Sequence, residues 1–202
     1  MQTNPDNAEN GPQKAKSERT RNIICEATVA CLAEHGYAET TINRVVERTH
    51  LSKGALQHHF PSKESLITAS ADYLLQRTLL TDQKYDTHTV AQRLLKNWTH
   101  MIHTDAYRAL LEILNAARTD IGLQKLISPT LHQWNRNIDE QSRQLYESVD
   151  GNDDDVITLL VMSRSLMRGL VIQDRYTDDP ATSMKVIKRW IELISPLLKI
   201  RS

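Results

Sequence analysis

The sequence predicts an all-α protein, and three observations carry that prediction. Apolar residues recur at spacings of three and four along most of the chain, without a sustained apolar–polar alternation. Only six glycines and six prolines interrupt 202 residues. Leu, Ala, Ile, Arg, Gln and Glu are plentiful, a composition that favours helix. Hydrophobic content of 40% and charged content of 25% are ordinary for a globular chain. A chain of this length buries roughly 70% of its unfolded surface, so it needs no disulfide or metal staple.

Residues 1–16, MQTNPDNAENGPQKAK, have no periodicity and almost no apolar side chains, and are expected to be a disordered arm, with Lys14 and Lys16 read as part of a solvated tail and DNA-phosphate contact as the alternative. An amphipathic helix follows, with Ile23, Ile24, Ala27, Ala30 and Cys31 on one face and Gly36 just beyond its end. Cys25 and Cys31 on that helix are about 9 Å apart along its axis, too far for a disulfide. They read as packed thiols in a reducing compartment. The first sixteen residues lack an apolar leader segment, and no apolar run reaches the ~18 residues a membrane helix needs. The expected location is the cytoplasm.

The next stretch, YAETTINRVVERTHLSKGALQHHF, breaks into two very short helices. Thr40 or Thr41 can cap the first, whose buried face is Ile42, Val45 and Val46. Thr49-His50-Leu51 is a break, and Ser52 can cap the second, on which Leu56 and Phe60 lie four apart. Pro61 ends it, because the residue before a proline is pushed out of the α region. Ser62 then caps a longer helix, KESLITASADYLLQRTLL. Two short helices joined by a three-residue turn, with a third before them, make the helix-turn-helix plan. Phe60 is the only phenylalanine in the chain, and it is expected to plug the small core that such short helices need.

Net charge is zero, 25 Lys and Arg against 25 Asp and Glu, so the whole chain is no general polyanion binder. Residues 40–63 differ: Arg44, Arg48, Lys53 and Lys63 face Glu47 alone, with His50, His58 and His59 in addition. The outer face of the second short helix, Lys53, Ala55, Gln57 and His58, suits the major groove of B-DNA, where Lys reads guanine and Gln reads adenine. Gly54 permits close backbone approach. Thr41, His59 and Lys63 are placed for phosphates. Metal binding by His58 and His59 is disfavoured, because adjacent helical residues diverge by about 100° and neither a His-Glu pair at i,i+4 nor a Cys cluster accompanies them. No nucleophile or acid partner stands nearby for catalysis. Ordinary surface histidines are the plain alternative.

TTINRVVERTHLSKGALQHHFPSKESL resembles the N-terminal DNA-binding region of the tetracycline-repressor (TetR) family. Ser52, Gly54, Leu56, His59, Phe60, Lys63 and Leu66 match that family's pattern, and the resemblance covers about residues 18–70. It implies an N-terminal three-helix helix-turn-helix DNA-binding domain, residues 17–65, and a C-terminal helical ligand-binding and dimerisation domain, residues 66–202. It implies phosphate contacts at Thr41, His58, His59 and Lys63, and base-edge or groove contacts at Asn43, Arg44, Lys53, Gly54, Ala55 and Gln57. The sequence departs from the pattern at two places. Gln57 stands where the family usually has Tyr, and His50 stands where a small or Gly residue is common in the turn.

Beyond residue 85 the periodicity predicts helices over about 87–103, 105–117, 120–126, 130–149, 153–175 and 181–199, punctuated by Pro129, Gly151 and Pro180, with no strand pattern. The acidic turn DGNDDD, 150–155, lacks calcium-loop spacing and reads as helix capping. The helix of residues 156–173 is apolar on more than one face, and that of 183–200 carries one broad apolar stripe. Val161, Leu170, Ile187, Trp190, Ile191, Ile194 and Leu198 are the expected homodimer seam, with a monomer core as the alternative. A two-fold dimer matches a palindromic DNA operator. Trp98, Ile102, Tyr107, Leu111 and Asn115 are candidates to line a ligand cavity, with Arg118, Trp134, Ile138, Met162 and Leu166. Plain core is the other reading of the apolar ones. Met101, Leu114, Arg164 and Arg168 are secondary candidates. His100 and His103 lie i,i+3 without an evident third ligand, so neither metal nor cofactor is expected.

The combined expectation is a repressor released from its operator by a partly apolar small-molecule effector, with the helix of residues 62–81 as hinge. An effector-independent regulator or activator is the alternative. A helical small-molecule-binding protein or enzyme without DNA binding is the third reading, but no catalytic constellation, phosphate loop or metal spacing supports catalysis.

Overall fold

The computed structural model describes residues 10–82, 89–179 and 181–201. Its helices are α1 (Asn10–Glu39), α2 (Ile42–Thr49), α3 (Lys53–His59), α4 (Lys63–Asp82), α5 (Val90–Asn97), α6 (Asp105–Ala117), α7 (Ile121–Leu145), α8 (Asp153–Gln173) and α9 (Thr182–Ile194). A π-helical turn, Trp98–Ile102, follows α5, and 3-10 turns follow α8 and α9. The chain divides into two compact units, Met1–Gln76 with Ala109–Ile127, and Arg77–Arg108 with Ser128–Ser202.

In the first unit, α1 is helical from Asn10, so residues 10–16 are not the irregular arm their composition suggests; residues 1–9 lie outside the described residues. Near its end α1 kinks at Gly36, whose φ of 77° is a left-handed conformation that glycine adopts without steric cost. The kink is held from several sides. Thr40 Oγ1 donates to Gly36 O at 2.7 Å, and Tyr37 N donates to Glu112 Oε2 of α6 at 3.2 Å. The caps fall where the sequence places them. Thr41 Oγ1 accepts from Arg44 N (3.2 Å), and Ser52 Oγ accepts from Ala55 N (3.1 Å). α2 ends on His50 at φ 56°, ψ 18°, the one non-glycine residue with positive φ among those described, whose N–H reaches Val46 O. Ile24, Cys25, Cys31, Val45, Leu56, Phe60 and Leu66 form the buried core of this unit, with Ile42, Leu51 and Tyr73 packed against it. Both cysteines are free thiols, and burial pushes each one's pKa up. The first turns of α4 belong to this core through Leu66, Ala69 and Tyr73. The unit therefore runs past the expected boundary at residue 65 and also takes in Ala109–Ile127.

In the second unit a reciprocal capping box between Thr89 and Gln92 starts α5. The helix expected over 87–103 is divided into α5 and the π-helical turn; the part before residue 89 lies outside the described residues. The helices expected on either side of Pro129 are one helix, α7, with the proline inside it. An internal proline costs ~3 kcal/mol, but Ile127 before it and Trp134 after it are both buried, and that packing holds the helix across it. Two short strands appear where none was expected: β1 (Tyr146–Ser148) pairs antiparallel with β2 (Leu198–Ile200), Tyr146 opposite Ile200. Three residues are too few to display an alternating pattern. The acidic turn between β1 and α8 makes turn bonds and no side-chain cap: Asp150 Oδ1 accepts from Asn152 N (3.0 Å) and Asp153 Oδ1 from Ser148 N (3.2 Å), while the expected cap bond to the first turn of α8 is absent. Trp190 Nε1 of α9 donates to Ser163 Oγ of α8 at 2.9 Å. Among the described residues no helix is long and apolar enough to cross a membrane.

Candidate nucleic-acid interface and ligand cavity

α3 is the best-defined candidate interface. Leu56 and Phe60 are its buried anchors, and the Arg21 guanidinium lies 4.5 Å above the Phe60 ring centre. With that side fixed, Lys53, Gly54, Gln57 and His58 are exposed and Ala55 is half-buried. A Cβ added to Gly54 would meet nothing within 4 Å, so the missing side chain leaves open space at the helix surface. Asn43 and Thr41 are exposed at the start of α2, and Arg44 is half-exposed, 3.7 Å from Glu39. Thr41 accepts the capping bond and keeps its hydroxyl proton for an external acceptor.

Two expected phosphate contacts are placed differently from the rest. The Lys63 ammonium turns inward, donating to Tyr37 O at 2.7 Å and Ala38 O at 3.4 Å, with the Tyr37 ring centre 4.3 Å away. Burial pushes its pKa down, and its charge serves the C-terminal carbonyls of α1. His59 is half-buried, and its carbonyl accepts from Arg21 Nη1 at 3.1 Å. Burial, then the neighbouring His58 and Arg21, hold its pKa below the ordinary histidine value. At neutral pH it offers an N–H rather than a charge.

The structure also adds groups that the motif did not single out. Gln13, Lys14, Lys16, Ser17 and Thr20 of α1 share a broad surface groove of about 820 Å³ with His58 and His59. The two lysines thus stand beside the recognition helix. Their signal in the sequence was only charge, which a solvated tail shares. Arg48 pairs bidentately with Glu34, at 2.6 and 2.8 Å, and joins α2 to α1.

The second unit holds a cavity of about 80 Å³. Of the expected residues, Ile102, Tyr107, Trp134 and Ile138 line it, as do Met101 and Arg164. Trp98, Leu111, Asn115, Arg118, Met162 and Leu166 do not. Trp98 and Leu111 are buried core, Asn115 and Arg118 are exposed, and Met162 is 49% exposed. The sequence missed Arg93, Leu94, Asn97, Gln141, Ser142, Leu145, Tyr146, Leu160 and Ser163, which complete the lining. Periodicity marks apolar positions, and it does not tell which of them face a void. Arg168 Nε donates to Tyr107 Oη at 2.7 Å, and Arg164 Nη2 to Asp139 Oδ1 at 3.1 Å. Among the described residues no cluster of three or more His, Cys, Asp or Glu could hold a metal ion.

The residues of the expected dimer seam divide between this unit's own core and its surface. Leu170, Ile187, Ile191, Ile194 and Leu198 are buried within one chain, where the broad stripe of α9 closes the unit's own core. Val161 is exposed and Trp190 half-buried. Outward-facing apolar side chains instead run along Val161, Met162 and Ile172 of α8 and Leu193 and Leu197 at the end of α9.

A short helix fixed from behind by Leu56 and Phe60, uncovered and basic in front, and preceded by a capped two-turn helix is the helix-turn-helix arrangement. Residues 24–69 match the family model "Bacterial regulatory proteins, tetR family". The matched segment holds α2, α3 and the start of α4. The chain is 45% identical over 56 residues to the HTH-type transcriptional repressor AcnR of Corynebacterium glutamicum, a match covering 28% of this chain and 30% of AcnR. It is 24% identical over 187 residues to the HTH-type transcriptional regulator CymR of Pseudomonas putida, covering 90% of this chain and 92% of CymR. The fold is shared with a TetR-family transcriptional regulator from Cytophaga hutchinsonii, at a TM-score of 0.66 and 24% identity, over 93% of this chain and 98% of that one.

Proposed function

We propose that the protein is a transcriptional repressor that binds a palindromic operator as a homodimer and is released by a small-molecule effector. One observation carries the DNA-binding reading: α3 is anchored by Leu56 and Phe60 and leaves Lys53, Gln57 and His58 exposed around the bare Gly54. Lys53 and Gln57 then read base edges, with Asn43, Arg44 and Ala55 beside them. Thr41 and His58 hold phosphates, and His59 contributes an N–H. Lys63 acts by fixing the end of α1.

The second copy is placed on the outward apolar residues of α8 and α9, Val161, Met162, Ile172, Leu193 and Leu197. A Val161→Asp/Leu193→Asp double variant is expected to sediment as a folded monomer and to lose operator binding. The effector occupies the cavity of the second unit and must bind the state that does not hold DNA more tightly, since equal affinity shifts nothing.

The test is anisotropy of a labelled palindrome drawn from DNA beside the protein's own gene. Affinity is expected to fall steeply, by a factor of 10³ or so for six phosphate contacts, between 50 and 200 mM salt. Absence of binding to every such palindrome at low salt would sink the reading.

A further inference from the structure

The wall of the cavity contains two polar atoms left without partners. Trp134 is 5% exposed, and its Nε1 donor is buried with no hydrogen-bond partner; the same is true of Asn97 Oδ1. Both residues line the cavity. A buried polar group without a partner costs about 1–3 kcal/mol, and a ligand that supplies the partner recovers that cost.

The remaining polar lining sets the sign of the ligand. No Asp or Glu is among the described residues that line the cavity, whereas the guanidiniums of Arg93 and Arg164 are. Arg164 Nη2 donates to Asp139 Oδ1, and a guanidinium has five N–H donors in all. Tyr107 Oη already accepts from Arg168, so its own proton is available to an acceptor. This surround is rich in donors, and the Asp139 carboxylate beside it is already engaged by Arg164. The rest of the wall combines the apolar Leu94, Met101, Ile138 and Leu160 with the neutral polar side chains of Gln141, Ser142 and Ser163. The volume, about 80 Å³, is roughly half the 150 Å³ that admits one benzene ring in a protein interior. As it stands the cavity is smaller than one ring needs, so the wall must give to admit even that.

We propose that the cavity is a site for a small monocarboxylate with an apolar body no larger than one ring, its carboxylate held by the Trp134 indole N–H and the Arg164 guanidinium. This rests on the reading of the cavity as the effector site, but binding is measurable without DNA. The probes are benzoate, benzyl alcohol and benzylamine, which share a ring and differ in the polar group, tested on the full chain by thermal shift and calorimetry. Benzoate is expected to raise the melting temperature, benzyl alcohol to do so less, and benzylamine not at all. Trp134→Phe keeps a ring and removes the donor, and is expected to weaken benzoate tenfold or more, the loss of one charge-assisted hydrogen bond. Benzylamine or benzyl alcohol matching benzoate in the unaltered protein, or no shift with benzoate, overturns the proposal whatever the variant does. Benzoate that binds in this order but leaves operator affinity unchanged upholds the site chemistry and removes effector release. Release by benzylamine alone does the reverse.

Discussion

The helices of the DNA-binding face and those at the end of the chain are held by opposite means. α2 and α3 are 8 and 7 residues long, and each begins on a side-chain cap, Thr41 or Ser52. α8 and α9 have 21 and 13 residues and no side-chain cap bond at either start. Helices of two turns are marginal in water, so single residues decide whether α2 and α3 form. The longer pair is carried by buried side chains spread along its length, among them Val156, Leu160, Met167, Ile187, Ile191 and Ile194. A short helix concentrates its stability in a few side chains and leaves its other face free for a ligand. A long buried helix distributes it.

The largest expected effect breaks this contrast at its strongest point. Phe60 is 2% exposed and closes the end of α3. Phe60→Ala is expected to cost about 3–5 kcal/mol and to abolish operator binding. Ile187→Val, at a position with no exposed surface in α9, is expected to cost only about 0.5–1.5 kcal/mol. Urea unfolding of both variants decides it. Equal losses would show that α3 is carried by more than its anchor.

Caps provide the next test. Ser52 Oγ accepts from Ala55 N at 3.1 Å, and Ser52→Ala should destabilise by about 1 kcal/mol. Asn152 precedes α8 without a cap bond, so Asn152→Ala should change stability little, within about 0.5 kcal/mol. Comparable losses at the two positions would remove the distinction between capped and uncapped starts.

The same contrast explains what could be read from the sequence. Thr41, Ser52, Leu56, Phe60 and Pro61 have strict local jobs, and each job demands a particular residue type, so the order of α2, α3 and α4 was legible to within a residue or two. In the second unit, apolar residues mark burial without saying what they face. Trp98 and Trp134 look alike in sequence, yet only Trp134 lines the cavity. Leu193 and Ile194 are neighbours, and one is 53% exposed while the other is 2%. That choice is made by the tertiary packing of α9. Lys63 shows the limit of the motif itself: a charge in the right place is turned to Tyr37 O by the kink at Gly36, a long-range arrangement that local spacing does not encode.

Gly54 separates stability from function. It lies inside α3, where glycine is about 0.5–1 kcal/mol worse than alanine, and an added Cβ would meet nothing within 4 Å. Gly54→Ala should therefore stabilise the fold by up to about 1 kcal/mol. The same methyl stands at the surface that approaches DNA, so operator affinity should fall. A variant that gains both stability and affinity would place the DNA contact elsewhere than the Gly54 side of α3.

The smallest effect concerns His50, where α2 ends at φ 56° with its N–H bonded to Val46 O. An L residue there pays about 1–2 kcal/mol of left-handed strain, and glycine escapes it. Glycine also makes the unfolded chain more flexible, which takes back about 0.5–1 kcal/mol. His50→Gly is thus expected to raise stability by about 0–1.5 kcal/mol, the balance of those two costs. His50→Val places a β-branched residue in the same conformation and should lose more than about 1 kcal/mol. The order Gly, His, Val in thermal stability is the decisive readout. If valine matches histidine, the turn has another conformation available, and the angle between α2 and α3 is not fixed by the backbone at this position.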